Sequence, residues 1–323
     1  MSLLKINSIV DVNGGSNASI NGYTPTVSNM AGRNRIINGN FDIWQRGTSF
    51  TTSGYSADRW YTTADTNSGW TVSQQEFTYG QTDVPNEPTY FLRYAISSGS
   101  LTGPAIQQRI EGVRTFAGKT VTVTFYARVS SGSTFTPSYI RMNQSFGSGG
   151  SSGVFAVPNE ELTAFTSSWT KYTYTFNIPS IAGKTIGASN YVNFMIRIPD
   201  STTTTLDIAQ VQLEEGSVAT PFEHRQYGQE LALCQRYYGT GIFTATNAYI
   251  SAAGVGVFGF LSYKVTMRAA PTVSATVCQS QASGGAVTNR TFALSSNDAT
   301  GFAAILATTD PVCYITWQST AEL

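Results

Sequence analysis

Apolar and polar residues alternate through several separate stretches of the chain. In KTVTVTFYAR, Lys119 to Arg128, Val121, Val123, Phe125 and Ala127 face one way and Thr122, Thr124, Tyr126 and Arg128 the other. From Trp169 to Ile178 the same period puts Tyr172, Tyr174, Phe176 and Ile178 on one side. From Tyr191 to Ile198 it turns Val192, Phe194, Ile196 and Ile198 inward and Tyr191, Asn193, Met195 and Arg197 outward. Tyr90–Ile96 and Leu206–Leu213 add two more strands. Strands at this spacing, broken by Gly, Ser and Pro loops, predict an all-β sandwich or jelly roll. Alternation on one face argues against a parallel sheet, whose strands are apolar on both faces.

One segment departs from this period. YGQELALCQRYY, Tyr227 to Tyr238, places Tyr227, Leu231, Cys234 and Tyr238 on one helical stripe and Leu233 and Tyr237 on a second. Two readings fit: an ordinary core helix, or a helix that packs on its own domain and also on symmetry mates. On the second reading the first stripe is the oligomer interface. The chain then divides into an arm (1–33), a jelly-roll domain (34–225), a linking helix (226–239) and a small C-terminal β domain (240–323). The arm is too polar and Gly-rich to build a core, so it is expected to order on a partner or to stay floppy. About 80 residues make a marginal monomeric domain, which favours a trimer in which neighbours complete each core; a self-sufficient small domain is the competing reading.

The 323 residues carry 12% charged side chains, about half the usual fraction, and a formal net charge of zero. With no basic run to neutralise phosphates, nucleic acid is excluded as a partner. No signal-peptide pattern and no apolar run of membrane-spanning length occurs, so membrane insertion is not expected. Three cysteines without CxxC spacing point to no zinc or redox motif; Cys234 is expected as a buried thiol. A Cys278–Cys313 disulfide would need geometry that the sequence does not supply.

Several motifs occur in order. NRIINGNFDIWQRGTSF, Asn34 to Phe50, is followed by YSADRW, Tyr55 to Trp60. LDIAQVQLEEGSVATPFEHRQYGQELALCQRYY, Leu206 to Tyr238, and YKVTMRAAPTVSA, Tyr263 to Ala275, come later. This series resembles a family of tailed-bacteriophage virion proteins, the tail fibres and related appendages, over roughly 34–272. The resemblance implies a trimeric virion protein with a β-sandwich like that of lectins or carbohydrate-binding modules. Such a protein is assembled in the host cytoplasm, attached to other virion proteins through its arm, and engaged with a host-surface glycan. A capsid-attached fibre or decoration protein is one alternative; a polysaccharide depolymerase is another.

Catalysis finds little support. The single histidine, His224, has no GxSxG nucleophile elbow to serve, and the adjacent pairs Glu160-Glu161 and Glu214-Glu215 point to opposite faces if they lie on strands. No catalytic residue and no required cofactor are expected. Jelly-roll carbohydrate-binding modules often share a structural calcium between an NG-x-F-acid opening and an acid in the last strand. Here the matching acids are Asp42 and Asp207, whose competing role is a turn or strand-end hydrogen bond. For the glycan, the outward sets Tyr126, Arg128 and Tyr191, Asn193, Arg197 carry ring and hydrogen-bonding chemistry, and form one patch if their strands are neighbours. The same residues suit a subunit interface. Trp70 and Tyr79 are a second pair of glycan candidates. In YSADRW an Asp58–Arg59 pair would fix the loop, with Trp60, like Trp44, in the core.

Overall fold

The computed structural model describes residues 32–66, 69–130, 132–246, 255–281, 285–307 and 312–323. It contains two compact units. The first takes in 32–41, Ser49–Gly54 and Tyr61–His224; the second takes in Asp42–Thr48, Tyr55–Trp60 and Arg225–Leu323. Except for Gly32 and Arg33, the expected arm lies outside the described residues.

Two six-stranded antiparallel sheets form a β-sandwich. The first sheet runs β1 (Ser49–Phe50), β4 (Trp70–Glu76), β5 (Tyr90–Ile96), β12 (Thr204–Glu215), β7 (Thr120–Val129), β10 (Thr170–Asn177). The second runs β2 (Gly54–Tyr55), β3 (Trp60–Thr63), β6 (Ala105–Glu111), β11 (Tyr191–Arg197), β8 (Tyr139–Ser145), β9 (Val154–Ala156). The expected inward residues of β7 and β11 are fully buried, from Val121 to Ala127 and from Val192 to Ile196. Trp60 is buried as expected, and Trp44 is half-buried.

The motif at 34–41 lies along β12. Asn34 Oδ1 accepts from Ile36 N (3.0 Å) and Leu213 N (3.1 Å), and its Nδ2 donates to Val211 O (3.2 Å). Arg35 N donates to Leu213 O and Val211 N to Gly39 O, both at 2.8 Å. The contact accommodates a bulge in β12, where the register with β7 shifts between Ala209 and Gln212 and Gln210 takes φ 47°. The carboxylates nearby are used in the same way. Glu214 accepts from Thr220 N, Thr220 Oγ1 and Gln212 Nε2, and Glu223 accepts from Gly32 N and Asn34 N.

In the second unit the helix, α1 (Tyr227–Gln235), stops one turn earlier than its periodicity predicts, and Tyr238 opens a strand, β13 (Tyr238–Thr246). β13 joins the sheet β13–β19–β15–β16, with β15 at Thr272–Gln281, β16 at Val287–Asn289 and β19 at Val312–Thr320. A three-stranded sheet, β14–β18–β17, accompanies it (Val255–Ser262, Gly301–Ala307, Phe292–Asn297). Tyr263, Met267, Phe302, Ile315 and Trp317 lie in one core. The Trp317 indole packs on Gly241, where a Cβ would come within 2.5 Å of the ring. Cys278 and Cys313 are free thiols placed diagonally, since Cys278 opposes Ile315 and Cys313 opposes Ser280. Burial pushes the Cys234 thiol well above its ordinary pKa, leaving a neutral core side chain.

A buried clamp joins distant parts of this unit. Glu322 accepts from Arg59 Nη1 and from Arg46 Nη2 (2.8 Å). Arg268 holds the adjoining backbone, donating to Ala321 O (2.7 Å) and Glu322 O (3.1 Å). The Arg59 guanidinium lies 3.5 Å from the Tyr237 ring centroid and that of Arg46 lies 3.6 Å from Tyr238. Asp58 accepts from Gln45 N and Nε2 and faces Arg46 at 3.6 Å. Asp58 and Arg59 thus each bind partners from elsewhere in the unit, Gln45 and Arg46 for the one and Glu322 and Tyr237 for the other. A single cut in the chain does not separate the units, because 42–48 and 55–60 carry half of this clamp.

Burial lifts Asp58 from 3.8 to about 6, against the opposing pull of Arg46 and the Gln45 hydrogen bonds and with help from Glu322. The folded state thus binds this proton more tightly than the unfolded chain. The stability it gives is complete below about pH 4 and is lost as pH rises through 6, an effect of about 3 kcal/mol. We expect Asp58→Asn to flatten this part of the pH dependence in urea unfolding of the second unit. An unchanged profile between pH 4 and 7 would show that Asp58 does not titrate there.

Candidate binding face

The strongest candidate surface is the outer face of the second sheet. In β11 the period of two that buries Val192, Phe194 and Ile196 turns Tyr191, Asn193, Met195 and Arg197 outward. The register sets these against β6 and β8. Tyr191 lies between Glu111 and Ser145, Asn193 between Arg109 and Asn143, and Met195 between Gln107 and Arg141. Arg197 lies between Ala105 and Tyr139.

Two ring–guanidinium groups flank a polar floor. On one side the Arg109 guanidinium is 4.8 Å from the Tyr191 ring and 5.6 Å from the Tyr61 ring. On the other, Arg141 sits 4.0 Å from Tyr139 and 4.3 Å from Phe155, which β9 brings opposite Asn143. Between them the side chains of Asn193 and Gln107 hydrogen-bond at 2.6 Å and are nearly buried. Arg197 pairs with Asp200 at 2.5 Å. Phe155 is 53% exposed, so one ring at the rim is open to solvent. Rings, amides and guanidinium groups on one rigid sheet can stack on a sugar ring and bond its hydroxyls.

Tyr126 and Arg128 are not part of this face. They lie on β7, in the first sheet, so the two outward sets cannot form one patch. Arg128 is also committed: its Nε donates to Asp207 Oδ2 (2.9 Å), and Trp169 lies 4.8 Å from the guanidinium. Arg93 completes the group, donating to both oxygens of Asp207 at 2.7 and 2.9 Å. The bidentate carboxylate raises the Arg93 pKa above its ordinary value. Asp207 thus meets two cations, a setting that does not suit calcium, and no group of three or more His, Cys, Asp or Glu among the described residues could hold a metal.

Trp70 is not a surface aromatic: it is 3% exposed, packs with its ring tilted against Tyr94 at 5.3 Å and donates Nε1 to Thr66 O. It starts β4 while Tyr79, fully exposed, lies beyond the other end of the strand, so the two do not make a common site. Among the expected interface residues, Cys234 is completely buried and Tyr238 nearly so within the chain. Only Tyr227 and Leu231 keep surface for a neighbour. His224 is exposed, and Glu160 is bound to Thr175 N and Oγ1, which hold its carboxyl below the ordinary range although burial opposes them.

The sequence reading missed Tyr61, Arg109, Tyr139, Arg141 and Phe155. A signal existed for β8, since YIRMNQS alternates Ile140 and Met142 with Tyr139, Arg141 and Asn143. Which strands flank β11 is a fact of topology that periodicity does not contain.

No family model matches the chain and no curated protein matches it. Solved structures align with parts of the chain at low identity. A xylan-binding domain from Paenibacillus barcinonensis aligns at 12% identity over 53% of this chain and 94% of its own, with TM-score 0.33. The N-terminal cellulose-binding domain of a Cellulomonas fimi β-1,4-glucanase aligns at 16% over 55% and 95%, with TM-score 0.32. A cyclase from Fischerella sp. TAU aligns at 16% over 57% and 96%, with TM-score 0.38. Function is therefore argued from this chain's own surface.

Proposed function

We propose that the chain is a non-enzymatic glycan-recognition protein, and that the outer face of the second sheet is its binding surface. The observation that carries this reading is the pair of ring–guanidinium groups around the Asn193–Gln107 floor. The setting we propose is a trimeric virion appendage of a tailed phage, tail-fibre-like, docked through residues 1–33. That setting is supported by the ordered motif series. Weak single sites would then be multiplied by three copies per trimer. Light scattering on the purified chain should give about three times 34.7 kDa; a stable monomer would remove the trimer.

Retention on a panel of immobilised bacterial surface polysaccharides tests the face. A Tyr191→Ala, Tyr139→Ala double variant should lose at least tenfold in affinity with its melting temperature preserved, since base-stacking-like ring contacts are each worth about 1 kcal/mol. Tyr126→Ala should bind as the unaltered protein does. If Tyr126→Ala loses binding and the double variant keeps it, the recognition face is the first sheet.

A further inference from the structure

We propose that this face takes an acidic polysaccharide, with Arg141 receiving the carboxylate of a uronic acid unit. The inference rests on the glycan reading above and narrows it to a substrate class. Arg141 differs from three other arginines of the sandwich. Arg197 on the same face is paired with Asp200, and Arg93 and Arg128 on the opposite sheet share Asp207. Among the described residues Arg141 has no carboxylate partner. Its neighbours are the rings of Tyr139 and Phe155 and the Met195 sulfur, 4.0 Å from Nη2. Its Nε is buried with no hydrogen-bond partner.

Ring contacts stabilise a guanidinium through its faces and leave its edge as the place for hydrogen bonds. The quadrupoles of two rings offset only part of the desolvation of a half-buried cation. A carboxylate arriving in the guanidinium plane supplies the missing charge and two parallel hydrogen bonds, which a neutral hydroxyl cannot. The surroundings fit a sugar acid. Phe155 offers an exposed ring for the pyranose face. Asn143, opposite Phe155 in the register, has a buried Oδ1 without a donor, which suits a ring hydroxyl.

The test compares polygalacturonate and polyglucuronate with their carboxyl-reduced forms, using the full chain in affinity electrophoresis at low salt. At least one acidic polymer should be bound tenfold or more tightly than its reduced form. Arg141→Gln should abolish that margin, so that acidic and reduced polymers are bound equally whatever the strength that remains. Arg141→Lys keeps the charge without the planar stack and should retain part of the margin, which shows that the effect of Arg141→Gln is not misfolding. Equal binding of acidic and reduced forms, or a margin that survives Arg141→Gln, overturns the carboxylate assignment and leaves the glycan reading standing. Binding to none of the four polymers overturns the uronic-acid inference, and the polysaccharide panel then decides whether glycan binding falls with it.

Discussion

Glu322→Ala is expected to destabilise the second unit by about 3–5 kcal/mol, the usual cost of stripping one partner from a buried ion pair. Arg59 is 1% exposed and Glu322 7% exposed, so water cannot replace the lost carboxylate. Glu322 also holds Arg46, itself 12% exposed, which would keep only Asp58, 3.6 Å away, as a carboxylate partner. The Tyr237 and Tyr238 rings offset only a fraction of this. A double variant, Arg59→Met with Glu322→Leu, removes the charge along with its partner and should recover much of the loss. Urea unfolding followed by tryptophan fluorescence would measure both. A Glu322→Ala protein within about 1 kcal/mol of the unaltered chain would mean that the clamp is solvated.

Gly39→Ala should be about as damaging to the first unit. A Cβ at this position would stand 2.1 Å from Val211 O and 3.3 Å from Ile36 Cγ2. Neither neighbour can retreat easily, because Val211 O accepts from Asn34 and Val211 N donates to Gly39 O. Overpacking costs about 1–3 kcal/mol and each buried hydrogen bond broken a further 1–3, so roughly 3–5 kcal/mol is expected. Gly228→Ala is the matched control. It lies in α1 with nothing within 4 Å of the new methyl, and should stabilise by about 0.5–1 kcal/mol. Equal unfolding midpoints for Gly39→Ala and the unaltered protein would show that β12 relaxes around the added carbon.

These two positions also mark what the sequence made legible. Alternation located β5, β7, β10, β11 and β12 nearly to the residue, because a sandwich strand buries one face and period two records it directly. Helix α1 was overrun by three residues. Tyr237 and Tyr238 continue its apolar stripe, but their rings are taken by Arg59 and Arg46, a tertiary demand that overrides the helical period. The motifs that carry the family resemblance turn out to hold the scaffold. Asn34 and Gly39 lie against β12; Arg46, Asp58, Arg59, Tyr237 and Arg268 build the clamp. The candidate face draws on Tyr61, Arg109, Tyr139, Arg141, Phe155 and Tyr191, all outside those motifs. Pairing of β11 with β6 and β8 joins residues up to 92 apart in the chain, Arg197 with Ala105, and nothing local encodes that choice.

The clamp has a consequence for how the protein is made. Its partners are 263 and 276 residues apart in sequence, among the most non-local contacts such a chain can contain. On a ribosome adding about 5–20 residues per second, Arg46 and Arg59 emerge on the order of 10–50 s before Glu322 exists. The sandwich strands can pair in that interval, while the segments around Arg46 and Arg59 wait for their counter-ion. Nascent chains stalled before residue 322 should therefore show a protease-resistant first unit and a cleavable second one. A fragment beginning at Arg225 would lack both arginines and should not fold, whatever conditions are chosen for it.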